Sequence, residues 1–300
     1  MATAEQWLAK LRKLRVDRAS GDPAPHKPLL LLVILDLAEQ GQLSKALLPL
    51  TPELAFRFFG FWSIIARRRS QKPDVRLPFH YLQSDGFWSA LGEDGKPSPH
   101  NRQTRFAQLA TDFVACAKAP AWRESARRLL ITSYFKPEEQ IALFELVGIP
   151  VPTELELKRD IEAASQADAI YRGREARFRI TIVAAYNYTC ALTGYRLTTI
   201  SGISVVDAAH IHQFADSRNN DPQNGVALCK NAHWLFDQGL WSLTDQHRVV
   251  VATGKFAEES PDQKALMQYH GEVLRLPKDP SLWPNPLHMA WHRRKKFQGS

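Results

Sequence analysis

Two histidines and an asparagine at set intervals are the groups in this 300-residue chain best suited to chemistry. His210 closes the run Val205-Val206-Asp207-Ala208-Ala209-His210-Ile211. Asn224-Gly225 follows 14 positions after His210, and His233 lies nine beyond Asn224. Imidazole titrates near neutral pH and is a common metal ligand, so two of them can move a proton or hold a cation. Two carboxylates stand nearby, Asp207 three residues before His210 and Asp237 four residues after His233.

The β-branched run before His210 predicts a strand that delivers polar groups at its tip. Asn-Gly predicts a turn. From Asn231 the pattern predicts a short helix over about 231–238, with His233 and Asp237 four apart on one face. A hairpin followed by a helix brings His210, Asn224 and His233 together.

Elsewhere the reading is mostly helical. Trp7, Leu8, Leu11 and Leu14 sit at helical spacing over 5–16. Pro28 opens a helix to about Glu39 that Gly41 closes. Pro52 to Ile65 reads as a helix with a wide aromatic face. Val75 to Leu82 reads as extended, with Ser84-Asp85-Gly86 as a hairpin turn into Phe87-Trp88. Helices are expected over about 101–117, 121–134 and 137–147. The polar stretch at 149–170 reads as a linker, and a basic helix runs from Arg172 to about Tyr188 with Phe178, Ile182 and Val183 on one side. Short strands follow, with a pair within 240–252. The expected division is 1–148, a linker at 149–170, and 171–300.

Composition narrows the class. Hydrophobic residues make up 44% and charged residues 23%, the profile of a chain that buries a core. The longest apolar run, Pro28 to Leu37, is interrupted by Asp36 and falls short of a membrane span. No membrane partner is expected. The first residues lack a signal-peptide apolar region, and three cysteines suit a reducing compartment, so a cytoplasmic location is expected. Net charge is +8, and residues 1–150 hold 21 Lys and Arg against 15 Asp and Glu. Local clusters stand at Arg67-Arg68-Arg69, Arg127-Arg128 and Arg293-Arg294-Lys295-Lys296. A distributed basic surface favours nucleic acid.

The blocks around His210, Asn224-Gly225 and His233, with Tyr188-Thr189-Cys190-Ala191-Leu192-Thr193-Gly194 upstream and Phe236-Asp237-Gln238-Gly239-Leu240-Trp241 downstream, resemble HNH endonucleases of the ββα-metal type. The resemblance runs from about Arg172 to Trp291-His292-Arg293. It implies phosphodiester hydrolysis with His210 as general base and Asn224 orienting the loop and the base. His233 would help to hold one divalent metal, Mg²⁺ or Mn²⁺. Asp207, placed ahead, or Asp237 beside His233 would supply a further ligand, because Ala209 stands where relatives usually carry one. Many relatives hold a structural zinc through paired Cys-x-x-Cys motifs. Here Thr193 follows Cys190 and Ala232 follows Cys229, so no structural zinc is expected. The basic helix, through Arg172, Arg174, Arg177 and Arg179, is assigned to DNA phosphates.

In the first half, Pro25-His26-Lys27-Pro28-Leu29-Leu30-Leu31-Leu32, Arg76-Leu77-Pro78-Phe79-His80-Tyr81-Leu82 and Asp85-Gly86-Phe87-Trp88 resemble the sulfur-binding domain of McrA-like, phosphorothioate-dependent restriction endonucleases. That resemblance implies an apolar pocket for the sulfur, with Pro78 as its floor and His80 and Tyr81 lining it. His26 and Lys27 would approach the backbone, and Arg102, Gln103 and Arg105 would contact bases or phosphates. Two positions depart from the pattern. Leu77 stands where an aromatic is frequent, and Lys27 where arginine is.

Together these imply an α+β protein, a mainly helical DNA-reading domain with a small β-hairpin joined to an HNH nuclease domain. The implied partner is phosphorothioate-modified duplex DNA, and the implied role is bacterial defence by restriction. One site cuts one strand, so a double-strand break needs a homodimer or two successive nicks. The alternatives are an HNH nuclease that reads another mark, such as a modified base, and a DNA-binding protein with an inactive HNH fold.

Overall fold

The computed structural model describes residues 3–18, 21–43, 45–65, 73–152, 163–259 and 262–299. Arg67-Arg68-Arg69 and positions 153–162 of the expected linker lie outside them. The chain forms two compact units, Met1–Arg177 with Thr199–Ile203, and Phe178–Thr198 with Ser204–Ser300.

At the centre of the first unit is a helix buried on every side, as a helix without a polar face must be. Helix α1 spans Ala4–Arg12, and this central helix, α2, spans His26–Glu39, with Leu29 to Ala38 all buried. Pro28 falls in its first turn, where a missing N–H costs nothing. Strand β1 is Leu47–Pro49 and helix α3 is Pro52–Ile65. Helix α4, Arg76–Tyr81, is followed by strands β2, Trp88–Leu91, and β3, Phe106–Leu109. Helices α5, Thr111–Lys118, and α6, Pro120–Tyr134, also pack on α2, and α7, Pro137–Val147, packs on α3 and α6. Pro120 and Pro137 each open a helix, and Gly148 at φ 68° closes α7.

Two expectations are corrected here. Residues 76–81 are helical rather than extended. Pro78 is the third residue of α4, again at a first-turn position where an N–H would have no intrahelical partner. A 3₁₀ turn at Leu82–Asp85 then leads to Gly86 at φ 77°. Residues 101–117 are not one helix, because Phe106–Leu109 is the middle strand of an antiparallel sheet ordered β1-β3-β2. Ala107 faces Leu48 on one side and Ala90 on the other, and burial alternates along β3.

The Asp36 that interrupts the apolar run is fully buried and gathers cations. Its carboxylate accepts from Arg57 and Gln40 at 2.9 Å each and from Arg177 at 2.5 Å. Arg57 is itself only 2% exposed. Such pairs persist only when the geometry and extra hydrogen bonds offset desolvation, and Gln42 supplies one more to Arg57 at 3.1 Å.

Helix α8 spans Ala163–Ala185, longer at its start than the expected basic helix. After it, Asn187 and Tyr188 both take positive φ. In the second unit, β4, Val206–His210, pairs antiparallel with β5, Gly225–Cys229, in the register Val206↔Cys229 and His210↔Gly225. The short helix α9 is Phe214–Ser217 and α10 is Lys230–Asp237. A second pair joins β6, Trp241–Leu243, to β7, Val249–Val251, and α11 is Pro286–Lys295. The core holds Phe178, Ile182, Tyr186, Cys190, Val206, Ala209, Cys229, Phe236 and Trp241. His292 stacks on Phe236 at 3.7 Å, and burial holds its pKa down to about 4, so this interior imidazole is neutral. Among the described residues no helix is long and apolar enough to cross a membrane.

Candidate active site

The β4–β5 hairpin and α10 form a ββα unit that presents His210, His233 and Asp237 to one another. His210, the last residue of β4, is half-buried. Its ring stacks on Phe178 at 4.1 Å and 9°, with Phe214 tilted 5.5 Å away. Nε2 lies 2.8 Å from Asn220 Oδ1. An amide oxygen only accepts, so Nε2 carries the proton in this bond and Nδ1 keeps a free lone pair. Burial is the main influence on the imidazole and pushes its pKa below the ordinary value. The Asn220 bond opposes that shift, the His233 ring adds to it, and Asp237 also opposes it.

On α10, His233 Nε2 and Asp237 Oδ2 are 3.4 Å apart across one helical turn, both partly exposed. Burial raises the Asp237 carboxyl against the opposing pull of His233, Lys296 and His210. A nitrogen and an oxygen donor so placed suit a divalent cation. Among the described residues no group of three His, Cys, Asp or Glu side chains converges as a ready metal cluster.

Asp207 is placed differently. Three residues from His210 on a strand, it belongs to the opposite face. Its Oδ1 accepts from Arg179 Nε at 2.6 Å, and Lys230 Nζ lies 3.8 Å from Oδ2.

Asn224 is fully buried and acts on the loop alone, which corrects the expectation that it also bonds the base. Oδ1 accepts from His212 N at 2.7 Å, and Nδ2 donates to His212 O at 2.9 Å and Asn219 O at 3.0 Å. It therefore clasps the two ends of the loop between the strands. The ring partner is Asn220, which sequence reasoning missed; the polar run Arg218-Asn219-Asn220-Asp221 was its only signal. Nor is Asn-Gly a turn with positive φ, since Gly225 is extended at φ −123°. A Cβ there would lie 2.5 Å from Ile182 Cδ1 and 2.8 Å from Phe178 Cζ, so the glycine serves close packing.

The arginines of α8 do not present free charge. Arg172 pairs with Asp168 and Arg174 with Glu145, each at 3.0 Å, while Arg177 is bound to Asp36 and Arg179 to Asp207. Each arginine that the sequence assigned to DNA phosphates thus has a carboxylate partner within the protein, and Arg174 keeps a side chain 60% exposed.

In the first unit an open hollow of about 390 Å³ is lined by Arg15, Val16, Asp17, Ala24, His26, Lys27, Leu77, Pro78 and Tyr81. Four residues singled out by sequence thus meet there. Tyr81 is 53% exposed, and His26 packs its ring on Trp62 at 4.7 Å. Lys27 Nζ is held by Asp85 Oδ2 at 2.6 Å and Ser84 Oγ at 2.8 Å, so its charge is matched internally. Arg15 was missed, although the run Lys10-Leu11-Arg12-Lys13-Leu14-Arg15 marks it as basic. His80 is corrected, because it is buried, with Nδ1 2.8 Å from Thr104 Oγ1 and Nε2 3.1 Å from Gln83 Nε2. It braces α4 from inside and does not line the hollow. Arg102 is exposed between β2 and β3 and is not among these lining residues.

Comparison with known proteins gives one family match, to the model described as HNH endonuclease, over residues 190–244. No curated protein matches the sequence. Among solved structures, similarity is found to a "Modification dependent TagI restriction endonuclease", at 19% identity and TM-score 0.30, covering 40% of this chain and 37% of that one. It is also found to a "Sulfur binding domain of SprMcrA complexed with phosphorothioated DNA", at 22% identity and TM-score 0.39, covering 49% of this chain and 95% of that one. The chain thus spans little more than a third of the first. Residues 190–244 are an HNH endonuclease domain.

Proposed function

We propose that this chain is a modification-dependent DNA endonuclease that reads phosphorothioate-modified duplex with its first unit and hydrolyses a phosphodiester bond at His210. The observation that carries the reading is a half-buried His210, its pKa held below the ordinary value, within electrostatic reach of His233 and Asp237 inside the HNH domain.

His210 stays neutral at pH 7 and accepts a proton from the attacking water at Nδ1, while Asn220 fixes the tautomer and Phe178 the plane of the ring. His233 and Asp237 fit a divalent metal such as Mg²⁺ or Mn²⁺, which when bound supplies Lewis-acid stabilisation of the phosphate and the leaving 3′ oxygen. Asp237 takes this role in preference to Asp207, whose carboxylate is committed to Arg179. Asn224 holds the loop that carries Asn220.

The hollow in the first unit suits sulfur because sulfur is larger, softer and less hydrated than oxygen. Leu77, Pro78, Val16 and the Tyr81 ring supply apolar wall, and Arg15 and His26 supply polar groups for the backbone. Lys27 supports the hollow through Asp85.

The test is cleavage, with Mg²⁺ or Mn²⁺, of DNA pairs identical except for phosphorothioate in the native stereochemistry, in several sequence contexts. Cleavage of the modified member alone is expected. Cleavage of both keeps the nuclease and discards sulfur as the mark. Binding without any cleavage favours an inactive reader. Pro78→Gly and Tyr81→Ala should each lower the preference for sulfur about 10-fold, the loss of one apolar contact. Discrimination that persists in both variants sinks the pocket assignment.

The Asn220 bond gives a pH prediction. An orienting hydrogen bond is worth ~1 kcal/mol, so Asn220→Ala should slow nicking about 5-fold. The base must be neutral to work, so the acid limb of the pH–rate profile should fall below the ordinary imidazole value. In Asn220→Ala it should move lower still, because the lost bond raises the pKa. An upward move would contradict the assignment.

A further inference from the structure

Trp234 is left unused by the chemistry above. It sits on α10 between His233 and Asp237, and its side chain is 60% exposed. The other three tryptophans of the second unit are all engaged. Trp241 is fully buried and bonds Ala232 O, Trp283 bonds Pro277 O, and Trp291 stacks on His212 at 4.0 Å. Among the described residues, Trp234 has neither an indole hydrogen bond nor a ring partner. Lys230, four residues earlier on the same side of the helix, has a side chain 75% exposed and, among the described residues, only a 3.8 Å pair with Asp207.

One face of the helix that carries His233 and Asp237 thus offers an open aromatic plane beside an ammonium group. That combination is how proteins hold unstacked nucleic-acid strands, with bases on aromatic rings and phosphates on cations. A protein partner seated on Trp234 would also cover His233 and Asp237, which the substrate must reach. We infer that Trp234 stacks on a base next to the scissile phosphate, with Lys230 on a neighbouring phosphate. The substrate of this site is therefore a locally unstacked strand. The inference rests on the nuclease reading of the same site.

A base inside a regular duplex hides its π-face, so stacking on Trp234 requires unpairing. A mismatch lowers that cost. Duplexes with a single mismatch stepped across the cut region should accordingly bind more tightly than the perfect duplex at one position.

The test measures binding of labelled duplex in the full chain with His210→Ala, so that affinity is read without cutting. Adding Trp234→Ala should weaken binding roughly 5- to 100-fold, the range for loss of one base–aromatic stack, and should abolish the gain from the mismatch. Trp234→Phe should restore most of both. Tyr195→Ala, an aromatic 51% exposed in the same unit, should leave affinity unchanged. Melting temperatures should match across the set. Equal binding by Trp234→Ala, or failure of Trp234→Phe to rescue, overturns the inference. If the protein with His210 intact cuts nothing while the binding pattern holds, the nuclease reading fails and the stack stands. If it cuts and Trp234→Ala binds normally, the stack fails alone.

Discussion

His210→Ala is expected to slow phosphodiester cleavage by about 10²–10⁴-fold, the usual contribution of a positioned general base, with DNA affinity nearly unchanged. The size of the effect follows from how thoroughly the ring is prepared. Phe178 stacks beneath it at 4.1 Å and Asn220 bonds Nε2 at 2.8 Å, so Nδ1 is left as the acceptor. Alanine removes the acceptor and leaves His233 and Asp237 in place on their own helix. Single-turnover nicking and equilibrium binding, measured side by side, check this. If nicking and binding fall together, His210 is a binding or structural residue and its catalytic assignment is wrong.

The largest effect on stability is expected at Asp36. Removing one partner of a buried ion pair costs ~3–5 kcal/mol, because the remaining charge is left in a low-dielectric interior. Asp36→Ala strands Arg57, which is 2% exposed and among the described residues keeps only the amide of Gln42 as a partner, and releases Arg177 as well. For a unit of this size the melting temperature should drop by roughly 6–20 °C. Thermal unfolding followed by circular dichroism reads this directly. A loss below ~1 kcal/mol would mean that water or Glu39, already 2.8 Å from Arg127, takes over the pairing.

Asp36 also shows where sequence reading succeeds and where it stops. Its interruption of the apolar run was legible, but the two arginines that meet it, Arg57 and Arg177, come from distant segments that no local pattern joins. Long periodic elements were legible for the opposite reason. The aromatic face of α3 and the proline starts of α6 and α7 are local signals. Segment 76–81 misled because an aromatic-rich run of six residues satisfies both periods, and its proline reads as a break unless it falls in a first turn. Strand β3 is four residues long, too short to show alternation against the helices around it. At the site, the spacing of His210, Asn224 and His233 carried the ββα arrangement. Asn220 was invisible because the loop's path decides which of two adjacent asparagines meets the ring. The pairing of the charges on α8 was the least legible. Sequence shows the arginines, but their carboxylates lie as far away as Asp36 and Glu145.

Gly225 carries no reactive group, yet the position of the base depends on it. A Cβ at 225 would press on Ile182 Cδ1 at 2.5 Å and on Cζ of Phe178, the platform under His210, at 2.8 Å. In descent terms, a domain of this kind can lose its activity without losing any reactive side chain. A methyl group at this one position would tilt the platform while His210, His233 and Asp237 all remained in the sequence. Position 225 therefore bears on the placement of the base as much as the side chains that touch the ring.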